Sequence, residues 1–430
     1  MKNSIAPKKK VLLLGINFSP ELTGIGKYTG EMADWLVSRG YNCTVVTSFP
    51  YYPNWKIQAP YSGRFYKKEV QKDGKLKVYR CPLYVPSIPS GAKRVLQEFS
   101  FFITSFFVVF YLLFKSRHSH IFCMAPPFHL GFQALFYRFF KGGKIIYHIQ
   151  DLQIEAARDL KVLKGDSAFK LLFALEKTIL KKVNFVSTVS PGMLSRISEK
   201  VSKNVLFFPN WVDINSFFPL HNKADIKKQW GFSPEDKIVL YSGSIGEKQG
   251  LENLLSIAKD LEKESFIKFV ICGSGPYKEK LSQLASEKGL KNVFFKPLQP
   301  LHLFNSFLNA ADVHLVLQKK GANDLMLPSK LTTILSVGGL ALVTAEPGSS
   351  LHRTMIENNM GVVIECEDYE LLKNTILDCC VSDFSVANAN GRLYAEKYLN
   401  IDSILEQVMQ DVQAGMPLPL NQLEYQLEKV

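Results

Sequence analysis

The sequence predicts an α/β chain built from two doubly wound domains, and three observations carry that prediction. At 430 residues the chain is longer than one hydrophobic core of usual size organises. Short continuous apolar runs alternate with longer stretches of helical periodicity, as parallel strands buried on both faces require. The same alternation restarts after Phe217-Phe218-Pro219, so a second unit of the same kind follows the first.

Taken in order, Val11 to Ile16 is an apolar run that ends in the loop Asn17 to Gly26. A helix with Tyr28, Met32, Trp35 and Leu36 on one face follows, Gly40 ends it, and Cys43 to Thr47 makes the next strand. Gly24, Gly26 and Gly30 follow a GxGxxxG spacing, yet the second strand ends in Thr47-Ser48-Phe49 without the acid a ribose requires. A nicotinamide cofactor is therefore not expected, and the glycines are read as places of close approach. Pro50-Tyr51-Tyr52-Pro53-Asn54-Trp55 is an aromatic loop at a strand end, suited to stacking on a sugar or to packing on its own domain. Residues 60–90 look like an irregular insertion that contains strands.

Phe99 to Phe114 holds sixteen residues without a charge, between Lys93-Arg94 and Lys115-Ser116-Arg117. It falls short of the roughly twenty apolar residues of a membrane span. We expect a helix that covers the sheet and leaves an apolar, membrane-seeking face between basic flanks. Ile121 to Met124, Lys144 to Ile149, Phe185 to Val189 and Val205 to Phe208 are further strands, ending at Ala125-Pro126-Pro127, Gln150-Asp151, Ser190-Pro191 and Pro209-Asn210-Trp211-Val212-Asp213.

In the second unit Lys237 to Tyr241 leads to Ser242-Gly243-Ser244-Ile245-Gly246, and Phe266 to Ile271 leads to Cys272-Gly273-Ser274-Gly275-Pro276. Val293 to Phe295, Val313 to Leu317 and Leu340 to Val343 continue the sheet. Between the last two, Leu327-Pro328-Ser329-Lys330-Leu331 starts a helix that Gly338-Gly339 closes. Free amides at a helix start, with Ser329 and Lys330 beside them, form an anion site; the plainer alternative is a buried helix with Lys330 turned to water. Two such domains in tandem leave a cleft at the carboxyl ends of their sheets.

The formal net charge of +13 draws anions: nucleic acid, an acidic membrane or phosphorylated small molecules. Lysine and arginine are scattered, and no helix-turn-helix, zinc-finger or RNA-binding aromatic signature occurs, which argues against nucleic acid. Seven cysteines without a CxxC spacing argue against a disulfide framework and a zinc site. The apolar run after Lys10 is too short for a signal-peptide core, so a cytoplasmic chain is expected.

These motifs together resemble family 4 glycosyltransferases, and within them the colanic-acid fucosyltransferase branch. Gly15 to Tyr28, Phe49 to Trp55, His148 to Leu152, Pro209 to Asp213, Tyr241 to Gly250, Cys272 to Pro276 and Leu327 to Leu331 carry the resemblance, in the right order and spacing. It implies a GT-B fold, two Rossmann-like domains facing a cleft, with residues 1–212 binding the acceptor and 213–392 the nucleotide sugar. Residues 393–430 would be helices that cross back to the first domain. The implied reaction is transfer of a sugar, GDP-fucose favoured as donor, with retention at the anomeric carbon. The acceptor would be a polyprenyl-linked oligosaccharide at the inner face of the plasma membrane.

By the same resemblance the donor would meet Gly243, Ser244, Gly273, Gly275, Ser329 and Lys330, with Gly24 and Gly26 approaching its phosphates; Lys248 is a further candidate to carry charge there. Tyr51, Tyr52 and Trp55 would meet the acceptor. The catalytic histidine falls at His148 or Gln150, and Asp151 is placed to orient an acceptor hydroxyl. Charge building on the leaving diphosphate calls for fixed positive partners, here Lys330 and helix amides. The Asp-x-Asp pair that holds a metal in GT-A enzymes is absent from this sequence, so no metal or other cofactor is expected. The family's Glu-x7-Glu pair would fall on Leu325 and Thr333, neither acidic, with Asp324 beside the first position; its common arginine appears as Ser244. The competing readings are a nucleotide-sugar epimerase of the same fold and a non-catalytic nucleotide-sugar-binding or assembly subunit. The missing acids weaken the first and favour the second, which the intact glycine loops oppose.

Overall fold

The computed structural model describes residues 9–21, 24–63, 65–159, 166–201, 203–246, 249–318, 320 and 328–415. Among them the chain divides into two compact units, 9–209 with 405–415, and 210–404.

The first unit begins with β1 (Lys10–Leu14), α1 (Gly24–Ser38) and β2 (Asn42–Ser48). The hairpin β3 (Lys67–Gln71) and β4 (Leu76–Cys81) follows, then α2 (Gly91–Leu112), β5 (His120–Ala125), α3 (Leu130–Lys141) and β6 (Lys144–Ile149). It continues through α4 (Gln153–Asp159), α5 (Asp166–Lys182), β7 (Phe185–Thr188), α6 (Pro191–Ser198) and β8 (Val205–Phe207). Among the described residues the sheet order is β3-β4-β2-β1-β5-β6-β7-β8, parallel except for the β3–β4 pair. The insertion expected at 60–90 thus supplies a full member of the sheet, because β4 pairs in parallel with β2. Strands such as β1 and β5 are buried on both faces, which is why they read as unbroken apolar runs. The α6 start shows how loops are tied down: Pro191 opens it and the Ser190 side chain accepts from Met193 N–H.

The second unit holds α7 (Lys223–Gln229), β9 (Lys237–Ser244), α8 (Leu251–Asp260), β10 (Ile267–Ser274), α9 (Lys278–Glu287) and β11 (Val293–Lys296). After these come α10 (Leu301–Ala310), β12 (Val313–Val316), α11 (Ser329–Ser336), β13 (Leu340–Thr344), α12 (Ser350–Glu357) and β14 (Val362–Ile364). The helices α13 (Tyr369–Val381) and α14 (Ser385–Tyr398) complete it, and α15 (Ile401–Ala414) carries the chain into the first unit. Its parallel sheet runs β11-β10-β9-β12-β13-β14. Strand order reverses between β1 and β5 in one sheet and between β9 and β12 in the other, and such reversals open ligand crevices at the strands' carboxyl ends.

The boundary expected at 393 falls later. α14 stays with the second unit because Arg392 donates to Phe217 O at 2.9 Å and Ser336 O at 2.5 Å, while Gly391 packs against Leu335. Only the chain from 405 joins the first unit, where Leu405, Val408 and Val412 are buried and Lys144 donates to Val412 O at 2.8 Å.

Candidate functional site

In the second unit the motifs converge on the β9–β12 reversal. β9 and β10 run in register to their ends, Gly243 opposite Gly273 and Ser244 opposite Ser274. A side chain at Gly273, where φ is +156°, would meet Gly243 O at 1.8 Å, so only glycine lets the two loops cross there. Gly275 is packed in the same way on Ile245 O. These two glycines shape the loop for its neighbour, and of the three it is Gly243 that faces Lys330: a Cβ there would lie 3.0 Å from Lys330 Nζ.

Pro328 precedes α11, and Gly338, at φ +63°, ends it. Lys330 is the second residue of that helix, yet it does not turn to water. Its ammonium lies 3.9 Å from the centroid of the Tyr241 ring, and burial lowers it to about 8. The Tyr241 hydroxyl donates to Ser244 O at 2.8 Å, which holds the ring in place. Among the described residues no carboxylate pairs with Lys330. A half-buried, partly desolvated cation with no carboxylate partner among the described residues is fitted to receive an anion. Ser244 and Ser329 are exposed beside it. Lys248, Leu325 and Asp324 lie outside the described residues, and Thr333 is buried within α11.

A cavity of about 520 Å³ opens near the carboxyl ends of β12 and β13 beside the start of α8, lined by Gln249, Glu252, Gln318, Thr344, Asp368 and Tyr369 among others. Its amides, acids and hydroxyls match a neutral polyhydroxylated group. Among the described residues no three His, Cys, Asp or Glu side chains are placed to hold a metal ion.

In the first unit the glycine loop and the aromatic loop are joined by a residue that sequence reasoning passed over. Glu21 is buried and accepts from Tyr51 N–H and Tyr52 N–H, both at 3.0 Å, and from Asn17 Nδ2 at 2.9 Å. Desolvation raises its carboxyl on balance, although the two backbone N–H groups, Asn17 and Arg80 oppose that. A Cβ on Gly26 would lie 2.5 Å from Glu21 Oε2, so the glycine is what admits the carboxylate. Gly24 lies exposed, the site of its missing side chain 3.9 Å from the Tyr52 ring. The buried Arg80 ties the same region from below, donating to Ser19 O at 2.6 Å and pairing with Glu69 at 3.0 Å. A single acid in an otherwise uncharged loop, four residues after Asn17, was the available signal.

Tyr51 is only 5% exposed, so its ring is part of the core and is not offered to a sugar. Tyr52 and Trp55 remain half-buried, and Arg94 lies over the Trp55 ring at 5.0 Å. Near Arg94 on α2, Glu98 accepts from Gln153 Nε2 at 2.5 Å and burial pushes its carboxyl up to about 7. Gln153 in turn accepts from Phe128 N–H at 3.1 Å. This polar group was not visible in sequence, because its members lie on α2, α4 and the loop after β5.

The expectation for His148 is corrected. It sits inside β6, 2% exposed, with Nδ1 3.0 Å from Ser187 Oγ on β7 and its ring packed on Phe208. Burial lowers it to about 3, so the imidazole is neutral and turned into the sheet packing. Gln150, two residues on, is buried as well. Asp151 does emerge at the strand end; desolvation raises its carboxyl, against the Leu152 N–H and with Glu155 adding to the rise.

The family described as Glycosyl transferases group 1 matches residues 222–382, and the Glycosyl transferase 4-like domain matches 23–211. Over 413 residues the chain is 40% identical to WcaI of Escherichia coli strain K12, a protein assigned to colanic acid biosynthesis as a glycosyl transferase, covering 94% of this chain and 99% of that one. Among solved structures it is similar to sucrose-phosphate synthase from Thermosynechococcus elongatus, with a TM-score of 0.72 at 16% identity over 95% of this chain and 99% of that. Anabaena HepE in complex with UDP and glucose superposes with a TM-score of 0.66 at 13% identity, over 94% and 100% of the two chains. At those identities the two structures speak for the fold alone.

Proposed function

The chain belongs to the family 4, group 1 glycosyltransferases, and from that premise we propose that it moves a sugar from a nucleotide diphosphate donor, GDP-fucose favoured, to a lipid-linked oligosaccharide. The product would serve a colanic-acid-like exopolysaccharide or other surface glycan, made at the cytoplasmic face of the membrane with retention at the anomeric carbon and without a metal. The observation that carries this reading is Lys330. An ammonium fixed against Tyr241 and Gly243 at the start of α11, without a carboxylate partner among the described residues, meets the charge that builds on a leaving diphosphate. The neighbouring α11 amides point the same way. The polar cavity at the ends of β12 and β13 suits the sugar hydroxyls. On the acceptor side Tyr52 and Trp55 offer the stacking faces, and Asp151 is the exposed carboxylate nearest the strand end.

Thermal unfolding of the purified protein with GDP, UDP, ADP or dTDP tests the reading. A nucleotide at a hundredfold its dissociation constant stabilises by roughly 2.7 kcal/mol. We expect a shift with GDP that Lys330→Ala removes. A shift with another nucleotide alone would change the donor, and no shift with any would favour a non-catalytic assembly role.

A further inference from the structure

α2 shows two sharply different faces. Phe101, Ser105, Val108, Val109 and Leu112 are buried, and hydrogen bonds tie the helix to the body: Gln133 Nε2 of α3 donates to the Phe102 backbone carbonyl at 2.6 Å, and Thr104 Oγ1 donates to Pro82 O at 2.7 Å. The other face carries Phe99, Ile103, Phe107, Phe110 and Phe114, all exposed, Phe114 at 74%. Phe106 extends the stripe through Phe136, 5.1 Å away, to Phe139 and Phe140, and Phe139 is 82% exposed. At about 1.5 Å per residue the row from Phe99 to Phe114 extends roughly 22 Å along the second half of the helix and just past its end. Monomeric soluble proteins rarely expose so long a contiguous aromatic stripe.

A second observation stands at the carboxyl end of the helix. A cavity of about 400 Å³ is lined by Lys10, Lys68, Lys75, Lys77 and Lys115 and by no acidic side chain. None of the five lysines forms an ion pair among the described residues. Tyr111 of α2 and Tyr79 of β4 form its wall, 6.1 Å apart, with Lys115 over the first ring at 4.8 Å and Lys68 over the second at 5.8 Å. The cavity lies at the amino ends of β1, β2 and β4, opposite the carboxyl ends where the candidate acceptor residues stand. It lies apart from the candidate acceptor residues of the same unit.

We propose that this face docks on an anionic bilayer, with the α2 stripe inserted among the acyl chains and the five-lysine cavity holding a lipid phosphate. Charge complementarity selects that occupant: Lys93 and Arg94 flank the stripe at one end, Lys115 and Arg117 at the other. The inference deepens the membrane-borne acceptor of the preceding reading and rests on it for its purpose. A bilayer along α2 brings a lipid-linked substrate to the end where Arg94 covers Trp55.

The test is co-sedimentation of the full chain with vesicles of phosphatidylglycerol mixed into phosphatidylcholine, or of phosphatidylcholine alone. Wild type is expected to bind the anionic vesicles roughly a hundredfold tighter, and raised salt to reduce that. Lys68→Gln/Lys77→Gln/Lys115→Gln should lose most of the difference, and Phe107→Ser/Phe114→Ser should lose binding to both vesicles. Both variants should keep the wild-type melting temperature and nucleotide response. Equal binding of the lysine variant and wild type to anionic vesicles would overturn the lipid-phosphate cavity, as would equal stabilisation of both by free glycerol phosphate. A phenylalanine variant that still binds, or that converts a wild-type dimer to monomer without affecting vesicle binding, would overturn the docking face. Vesicle binding without any nucleotide response would sink the transferase reading and leave the docking surface standing.

Discussion

The ammonium of Lys330 lies 3.9 Å from the centre of the Tyr241 ring, and a β-carbon on Gly243 would reach within 3.0 Å of it. The lysine is thus boxed between an aromatic face and bare backbone, and burial sets it at about 8 against an ordinary 10.5. Because its folded value is depressed, the folded state binds fewer protons than the unfolded chain between those values. Stability is therefore lowest below pH 8 and recovers as pH rises toward 10.5. Lys330→Met should raise the melting temperature without nucleotide at pH 7, and raise it less at pH 10. The same variant should abolish the nucleotide shift. In wild type, nucleotide affinity should be full below pH 8 and fall by up to tenfold per pH unit above it, measured by calorimetry. An affinity flat from pH 7 to 9.5 would remove Lys330 from the anion site.

The first unit should fail first in acid. His118, His120 and His148 are buried there, lowered by burial to about 4, 4 and 3. Each contribution is complete above the ordinary value of 6.5 and is lost as pH falls toward the folded value. At pH 5 the loss is roughly 2 kcal/mol per histidine. Among the described residues of the second unit the comparable group is His314, lowered to about 3. Hydrogen exchange at pH 5 should show amides of β5 and β6 losing protection before those of β9 and β10.

Glu21 should control two loops at once. Glu21→Ala leaves Tyr51 N–H and Tyr52 N–H without their acceptor, a loss of about 1–3 kcal/mol for each buried group. We expect faster proteolysis at 50–58 and a weakened acceptor KM, with nucleotide binding by the second unit unchanged. Glu21→Gln keeps one acceptor oxygen and should be milder.

Glu98, raised to about 7 by burial, titrates in the opposite sense to the histidines. The folded state holds its proton longer than the unfolded chain, so stability falls as pH rises from 4.5 to 7 and stays reduced above. Glu98→Gln should raise the melting temperature at pH 8 and leave it nearly unchanged at pH 4. A rise at both values would mean that the amide merely packs better.

How much of this was legible beforehand differs by residue. Pro328, Lys330 and Gly338 announced a helix start and stop in the chain itself, because caps and turn glycines are local. The strands were legible for a similar reason: burial on both faces forces unbroken apolar runs such as Val11 to Leu14. The seven ordered motifs carried the family. His148 misled because a strand's alternation states which face a side chain takes and not what covers that face; Ser187 and Phe208 close over it from β7 and the end of β8.

Other features are properties of the assembled unit alone. Glu21 meets Tyr51 across thirty residues, Glu98 meets Gln153 across fifty-five, and the five lysines come from β1, the β3–β4 hairpin and the end of α2. Sequence specifies what each segment becomes through short-range sterics and the periodicity of its apolar residues. Which charges lose their water, and which aromatic rings keep theirs, is decided only when distant segments pack, because desolvation depends on every neighbour at once.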